Sequence, residues 1–252
     1  MQIRAEDFDA NSVLKYGTVK GRKKKSRRYI KAVCAFDIEA SRLPDIEQSV
    51  MYIWQLQIED TTIIGRYWDE FFELLQRISK RIRGESWLIL FVHNLSYEFQ
   101  FLKGLYDFQP DEVFCMDSRR ILKCDMFDCI EFRCSYLLTN MNLAQFLKKM
   151  RVEDQKLSGE EFDYAKIRYP WTQLSDRELL YCINDVRGLV EGIHRLMRTD
   201  GDSLATLPMT STGYVRRDMK KAMRYGYNWK QLKAMLPGPE HYRLLREAVR
   251  GG

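Results

Sequence analysis

Ala35-Phe36-Asp37-Ile38-Glu39-Ala40 closes an apolar run, Tyr29-Ile30-Lys31-Ala32-Val33-Cys34, and the two together read as a buried β-strand. Successive side chains of a strand alternate faces, so Asp37 and Glu39 point the same way. Two parallel carboxylates at a strand end repel each other, and each resists burial. A divalent cation removes that cost, and carboxylate oxygens suit Mg²⁺ or Mn²⁺. The plainer alternative is a pair of solvated acids beside a loop.

Around this stretch the chain has the composition of an ordinary globular protein: 252 residues, 45% hydrophobic and 30% charged. No apolar run approaches membrane-spanning length, and no apolar segment of signal-peptide type opens the chain. Six cysteines contain no C-x-x-C pair and there are three histidines, which argues against zinc and for reduced thiols in a cytoplasmic protein. The net charge of +6 is unevenly placed. From Ala10 to Phe36 there is no acid and there are nine basic residues: Lys15, Lys20, Arg22, Lys23, Lys24, Lys25, Arg27, Arg28 and Lys31. Such a block is either a solvated tail or a phosphate-binding arm.

Residues 1–28 read as a loosely structured basic arm, and the first strand spans 29–37. Apolar strands follow at 50–58 and 63–68, with Glu59-Asp60-Thr61-Thr62 turning between them. A helix runs from Asp69 to about Arg83, on the spacing of Phe72, Leu75, Ile78 and Ile82. Trp87–Val92 is a continuous apolar run, as in a central strand covered on both faces. It ends in His93-Asn94-Leu95 before a helix from Ser96 to Tyr106. Residues 112–134 alternate polar and apolar, as in a short meander, and a helix covers 142–150. Ser175-Asp176-Arg177-Glu178 is a capping box that opens a strong helix to about Arg198. This pattern predicts an α/β domain, a mixed central sheet flanked by helices.

On this frame Asp37 and Glu39 end the first strand, and Glu98 lies in the first turn after the central strand. Asp185 sits on the long helix, with Tyr181 one turn earlier on the same face. If the first and central strands are neighbours, four carboxylates meet at one sheet edge. That layout suits two metal ions, about 4 Å apart, that cleave a phosphodiester.

Asp37-x-Glu39, Asn94-x-x-Tyr97-Glu98 and Tyr181-x-x-x-Asp185 resemble the three ordered motifs of DnaQ-like 3′→5′ exonucleases. The resemblance is closest to the proofreading domain of protein-primed, bacteriophage-type family B DNA polymerases. It implies an RNase H-like fold, two Mg²⁺ or Mn²⁺ ions held by Asp37, Glu39, Glu98 and Asp185, and a water oriented by Tyr181. It also implies a catalytic lysine, matched by Lys156, facing the scissile phosphate. His93, Asn94, Tyr97, Phe101, Ser135 and Tyr136 match positions that hold single-stranded DNA, where aromatic faces stack on bases. The implied partners are the 3′ end of a DNA strand or primer-template, terminal protein, and a polymerase half. The implied location is the host cytoplasm.

Three positions depart from the pattern. Glu98 stands where Asp is usual, which shifts the carboxylate by about 1.5 Å. An error of that size can cost about 100-fold in rate. Ala40 stands in place of a frequent Thr, and Tyr136 in place of Leu. The resemblance covers about residues 30–199 and makes 29–199 the exonuclease domain, with 200–252 a connection toward a polymerase palm. No YxDTDS-like or SLYP-like polymerase motif occurs. The alternatives are a stand-alone exonuclease on RNA or short oligonucleotides, and a weakened single-stranded-DNA-binding module.

Overall fold

In the computed structural model the described residues are 1–21, 26–44, 46–117, 120–152, 163, 165–226 and 233–248. The chain divides after Thr210 into two units. The strands of the first unit are β1 (Gln2–Arg4), β2 (Thr18–Lys20), β3 (Arg28–Ile30), β4 (Cys34–Leu43), β5 (Gln48–Ile58), β6 (Thr61–Gly65), β7 (Leu88–Val92), β8 (Val113–Asp117), β9 (Arg120–Met126) and β10 (Ile130–Cys134). Its helices are α1 (Trp68–Ile82), α2 (Leu95–Leu102), α3 (Ser135–Thr139), α4 (Leu143–Met150) and α5 (Asp176–Asp200). Eight strands form one mixed sheet in the order β1-β6-β5-β4-β7-β10-β9-β8, and β2 and β3 form a separate hairpin. β4 and β7 pair in parallel, as do β7 and β10, while β4 and β5 are antiparallel. The two strands expected to be neighbours therefore are.

Period-two alternation splits β4 between two layers. Cys34, Phe36 and Ile38 enter the main core, where Phe36 stacks on Phe71 of α1 at 4.4 Å. Asp37 and Glu39 take the opposite face, which α5 covers through Tyr181 and Cys182 against Tyr52 and Ile53 of β5. The register between β4 and β5 slips after Glu39: Glu39 faces Ile53 and Ala40 faces Met51, so Tyr52 is the extra residue of a β-bulge. The bulge lies beside the carboxylates, and Arg66 holds it by donating to the Tyr52 carbonyl at 2.6 Å.

Two local expectations are corrected. The arm expected to be loosely structured is ordered over its described residues. β1 pairs with β6 at the sheet edge, a 3₁₀ helix (Ala10–Tyr16) is capped by Asp9, and Phe8 and Val13 are buried. The strand expected at 29–37 is two strands, because Ile30 leaves β4 to pair with β2 and to donate to the Trp87 carbonyl. β4 then runs on to Leu43, so Asp37 and Glu39 lie within it and beyond its parallel pairing with β7, which spans Cys34 and Ala35. The meander expected at 112–134 is present as β8, β9 and β10, and polar positions of β9 and β10 form a buried ion network. Glu131, fully buried, pairs with Arg133 and Arg27; Asp125 takes Arg27 and Lys123; and Arg27 lies over the Trp87 ring. Burial alone would raise the Glu131 carboxyl, but Arg133, Lys123 and Arg27 outweigh it and hold it low.

The helix that carries Tyr181 and Asp185 is fixed at its first turn. Ser175 and Glu178 form the expected capping box. Glu178 also accepts from Arg168 Nε at 2.8 Å and from Lys166 Nζ at 3.2 Å. Arg168 is buried and turns Nη1 to the Asp163 and Lys166 carbonyls, while its backbone amide reaches Ser41 Oγ of β4 at 2.8 Å. One clamp thus joins β4, the loop before α5 and the start of α5. Further along, Gly192 lets α4 approach: a Cβ there would lie 2.6 Å from the Phe146 ring.

The second unit contains α6 (Ser211–Gly226) and a terminal helix (Pro239–Ala248), with Val215, Met219, Tyr242, Leu244 and Leu245 exposed.

Gly192→Ala is predicted to lower stability by about 1–3 kcal/mol through overpacking, although alanine is the better helix former. A lower denaturant midpoint at unchanged slope is the readout. A second prediction concerns acid. Burial alone would raise the Glu178 carboxyl, but the Ser175 amide, Arg168, Lys166 and the Ser175 hydroxyl pull it from 4.5 down to about 2. A carboxyl depressed on folding contributes fully above its unfolded pKa and loses that contribution as pH falls from about 4.5 to about 2. Glu178→Gln is predicted to cost roughly 2 kcal/mol or more at pH 7, because it strands the Arg168 charge. Thermal melts of variant and wild type are expected to converge near pH 2.

Candidate metal centre and strand-binding face

Asp37 and Glu39 on β4 and Asp185 on α5 each offer a carboxylate oxygen, all within 4.8 Å of one another. Among the described residues this is the one group of three or more potential ligands so placed. The fourth acid arrives by a sharp turn. β7 ends at Val92, and Asn94 adopts a left-handed conformation (φ 75°) that asparagine tolerates better than most residues. The chain then enters α2, whose first turn carries Glu98 inward.

Glu98 is 3% exposed. Burial raises its carboxyl to about 8, against its own backbone amide and a side-chain hydrogen bond with Asp37, and the Glu39 charge adds to the rise. Burial therefore favours the neutral form of Glu98 while the hydrogen bond with Asp37 opposes it, and that bond needs one proton between the two carboxyls. Its second oxygen, Oε2, is buried and has no hydrogen-bond partner among the described residues. A buried acceptor left unused costs stability, and three further carboxylate oxygens stand together nearby. An all-oxygen donor set with a spare buried oxygen fits a hard divalent cation, and Asp37, Glu39 and Asp185 can hold one.

Tyr181 lies one turn before Asp185, buried against Tyr52, Ile53 and Leu174. Lys156 lies outside the described residues. His93 and Ser135 follow the ends of the adjacent parallel strands β7 and β10. Ser135 is buried, and its hydroxyl donates to the Val92 carbonyl at 3.2 Å. It therefore accepts from His93 Nδ1, 3.0 Å away, which fixes the ring and its tautomer. Tyr136 is exposed and meets His93 edge to face at 5.9 Å. Tyr97 is exposed on α2, and its ring meets Phe101 at 5.5 Å. Asn94, at the turn itself, is exposed.

The row of aromatic rings extends further than sequence reasoning found. Phe101 touches Trp68 at 6.2 Å, and beside them lies a depression of about 270 Å³ lined by Val50, Met51, Tyr67, Trp68, Phe101 and Pro170. Next to Pro170, Trp171 is 72% exposed and stacks in parallel on Tyr169 at 4.9 Å. Arg168 and Glu178 were missed as positioning groups too. The capping box was visible, but a partner ten residues away across an irregular loop was not.

No protein-family model matches the chain, and no curated protein does. Among solved structures, Phi29 DNA polymerase complexed with single-stranded DNA matches 88% of this chain and 40% of its own, with a TM-score of 0.66 and 14% identity. The same polymerase complexed with primer-template DNA matches over the same shares, with a TM-score of 0.65 and 15% identity. The chain thus spans about 40% of the length of the polymerases it matches. At this identity the likeness is one of architecture: the α/β, RNase H-like fold expected from the sequence, a mixed sheet flanked by helices, is the fold observed.

Proposed function

We propose that the chain is a metal-dependent 3′→5′ exonuclease acting on the end of a DNA strand. The observation that carries this is the meeting of Asp37, Glu39 and Asp185 within 4.8 Å, with Glu98 hydrogen-bonded to Asp37. Asp37, Glu39 and Asp185 are the ligands of Mg²⁺ or Mn²⁺, with Glu98 assisting. A bound pair of such ions supplies an activated water and neutralises charge on the leaving oxygen. Tyr181 orients the water and Lys156 faces the phosphate. The longer arm of Glu98 tunes the rate and leaves the reaction class unchanged.

The strand lies along the rings of Tyr136, Tyr97 and Phe101, with His93 held in place by Ser135 and with Asn94 at the turn. Stacking accepts any base, as removal of a mismatched end requires. The basic residues between Lys15 and Lys31, apart from Arg27, which is paired with Asp125 and Glu131, neutralise phosphates of the same DNA. The chain acts as the proofreading part of a protein-primed, phage-type polymerase, with primer-template DNA, terminal protein and a polymerase half as partners in the host cytoplasm.

The decisive experiment is the double substitution Asp37→Ala with Glu39→Ala. It is expected to lower Mn²⁺-dependent shortening of a 3′-labelled single-stranded DNA by about 10³-fold or more. Undiminished shortening overturns the assignment, and Mn²⁺ binding by the wild type without any shortening turns the reading to a DNA-binding module. A separate measurement tests the path. Phe101→Ala and Trp171→Ala are each expected to weaken single-stranded DNA binding by about tenfold, read by fluorescence anisotropy in EDTA. Unchanged affinity in both variants removes the aromatic row from the strand's route.

A further inference from the structure

Gln55 lies in the middle of β5, directly opposite Asp37 of β4. Side chains paired in this way share a face, with Cβ atoms about 5 Å apart. The face is the one under α5, because Trp54, Leu56 and Ile58 take the other side in the main core and Ile53 packs against Tyr181. Gln55 is fully buried. Neither its amide nitrogen nor its amide oxygen has a hydrogen-bond partner among the described residues.

That state is unusual for a buried amide, which loses water and gains nothing in exchange. The neighbouring polar groups show the contrast. Gln57, two residues on along the same face, accepts from the Thr62 hydroxyl at 2.6 Å and donates to the Glu59 carbonyl, and Trp54 donates to the Tyr67 carbonyl at 2.9 Å. An apolar side chain of the same length at position 55 would pack under α5 without any stranded donor. The amide at that position faces Asp37, a member of the carboxylate group found among the described residues.

We propose that Gln55 is a positioning residue of the carboxylate centre. Its amide N–H groups take a carboxylate oxygen of Asp37 when the centre holds a cation, and so turn the other oxygen toward the ion. An amide suits this role because it is neutral. It orients a carboxylate without cancelling the charge the cation needs, as a lysine or arginine would. Partners of this outer kind typically contribute 10–100-fold to metal affinity.

This inference rests on the cation-binding reading above, and one experiment separates the two. Mn²⁺ alone is titrated by calorimetry into the full chain, as wild type and as Gln55→Met, and both are melted in EDTA. Gln55→Met is expected to bind Mn²⁺ at least tenfold more weakly while its metal-free melting temperature rises, since it removes a stranded buried amide. Equal Mn²⁺ affinity in the two proteins overturns the positioning role, whatever the melting temperature does. No Mn²⁺ binding by the wild type overturns the metal reading itself. Should Gln55→Met fail to fold, Gln55→Asn keeps the amide but withdraws it by one methylene. Weakened binding in that variant supports the role, and unchanged binding refutes it.

Discussion

The mutual repulsion of carboxylates held together at the edge of water is the constraint that shapes the rest of this chain. Asp37, Glu39 and Asp185 come within 4.8 Å from positions up to 148 residues apart in sequence. Left alone, such a group would push β4 away from α5. The fold opposes that from both ends. β4 is anchored on its other face by Phe36 in a fully buried aromatic cluster, so it does not move without opening the main core. α5 is anchored by its capping box, by Arg168 and by close packing on α4 at Gly192. The carboxylates are forced together by elements whose stability is made elsewhere, as functional sites generally are.

The same logic places the glutamate–arginine clamp. Ser41 of β4, Arg168 of the preceding loop and Glu178 of α5 lie in three separate pieces of chain, and the clamp closes the triangle between them. Its ion pair joins a buried arginine to a carboxylate largely shielded from solvent, where removing either partner strands a charge. It sits on the helix that delivers Asp185 and on the strand that delivers Asp37 and Glu39. Loss of the clamp would therefore be felt at the centre as a change of position. The ion network around Glu131 and Arg27 does comparable work on the far strands, tying the β2–β3 hairpin to β9 and β10.

Much of this was legible in the residues. Period-two alternation was enough to put Asp37 and Glu39 on one face. The unbroken apolar run at Trp87–Val92 was enough to make its strand central. The capping box at Ser175 announced α5. What escaped had no local signature. Phe8 and Val13 are single apolar anchors in a polar segment, without a period to reveal them. The polar faces of β9 and β10 look solvated until Arg27, about a hundred residues earlier, is brought over them. Gln55 was hidden in what read as a plain apolar strand, because its meaning depends on the residue opposite. Contacts of long sequence separation are set by topology, and the pattern along one strand does not carry them.

Glu98 explains how such a centre exists before any cation arrives. Its hydrogen bond with Asp37 needs one proton between the two carboxyls, so the four acids carry at most three charges. That shared proton reduces the repulsion within the pair, and any ion that binds there competes with it. The cost is a buried carboxyl with one unused oxygen. That unused oxygen and the unbonded amide of Gln55 both lie beside Asp37, one brought by α2 and the other by β5. Two stranded polar groups around one carboxylate make a local excess of hydrogen-bonding capacity, which the described residues leave unspent. The stability set aside there is what a ligand can recover.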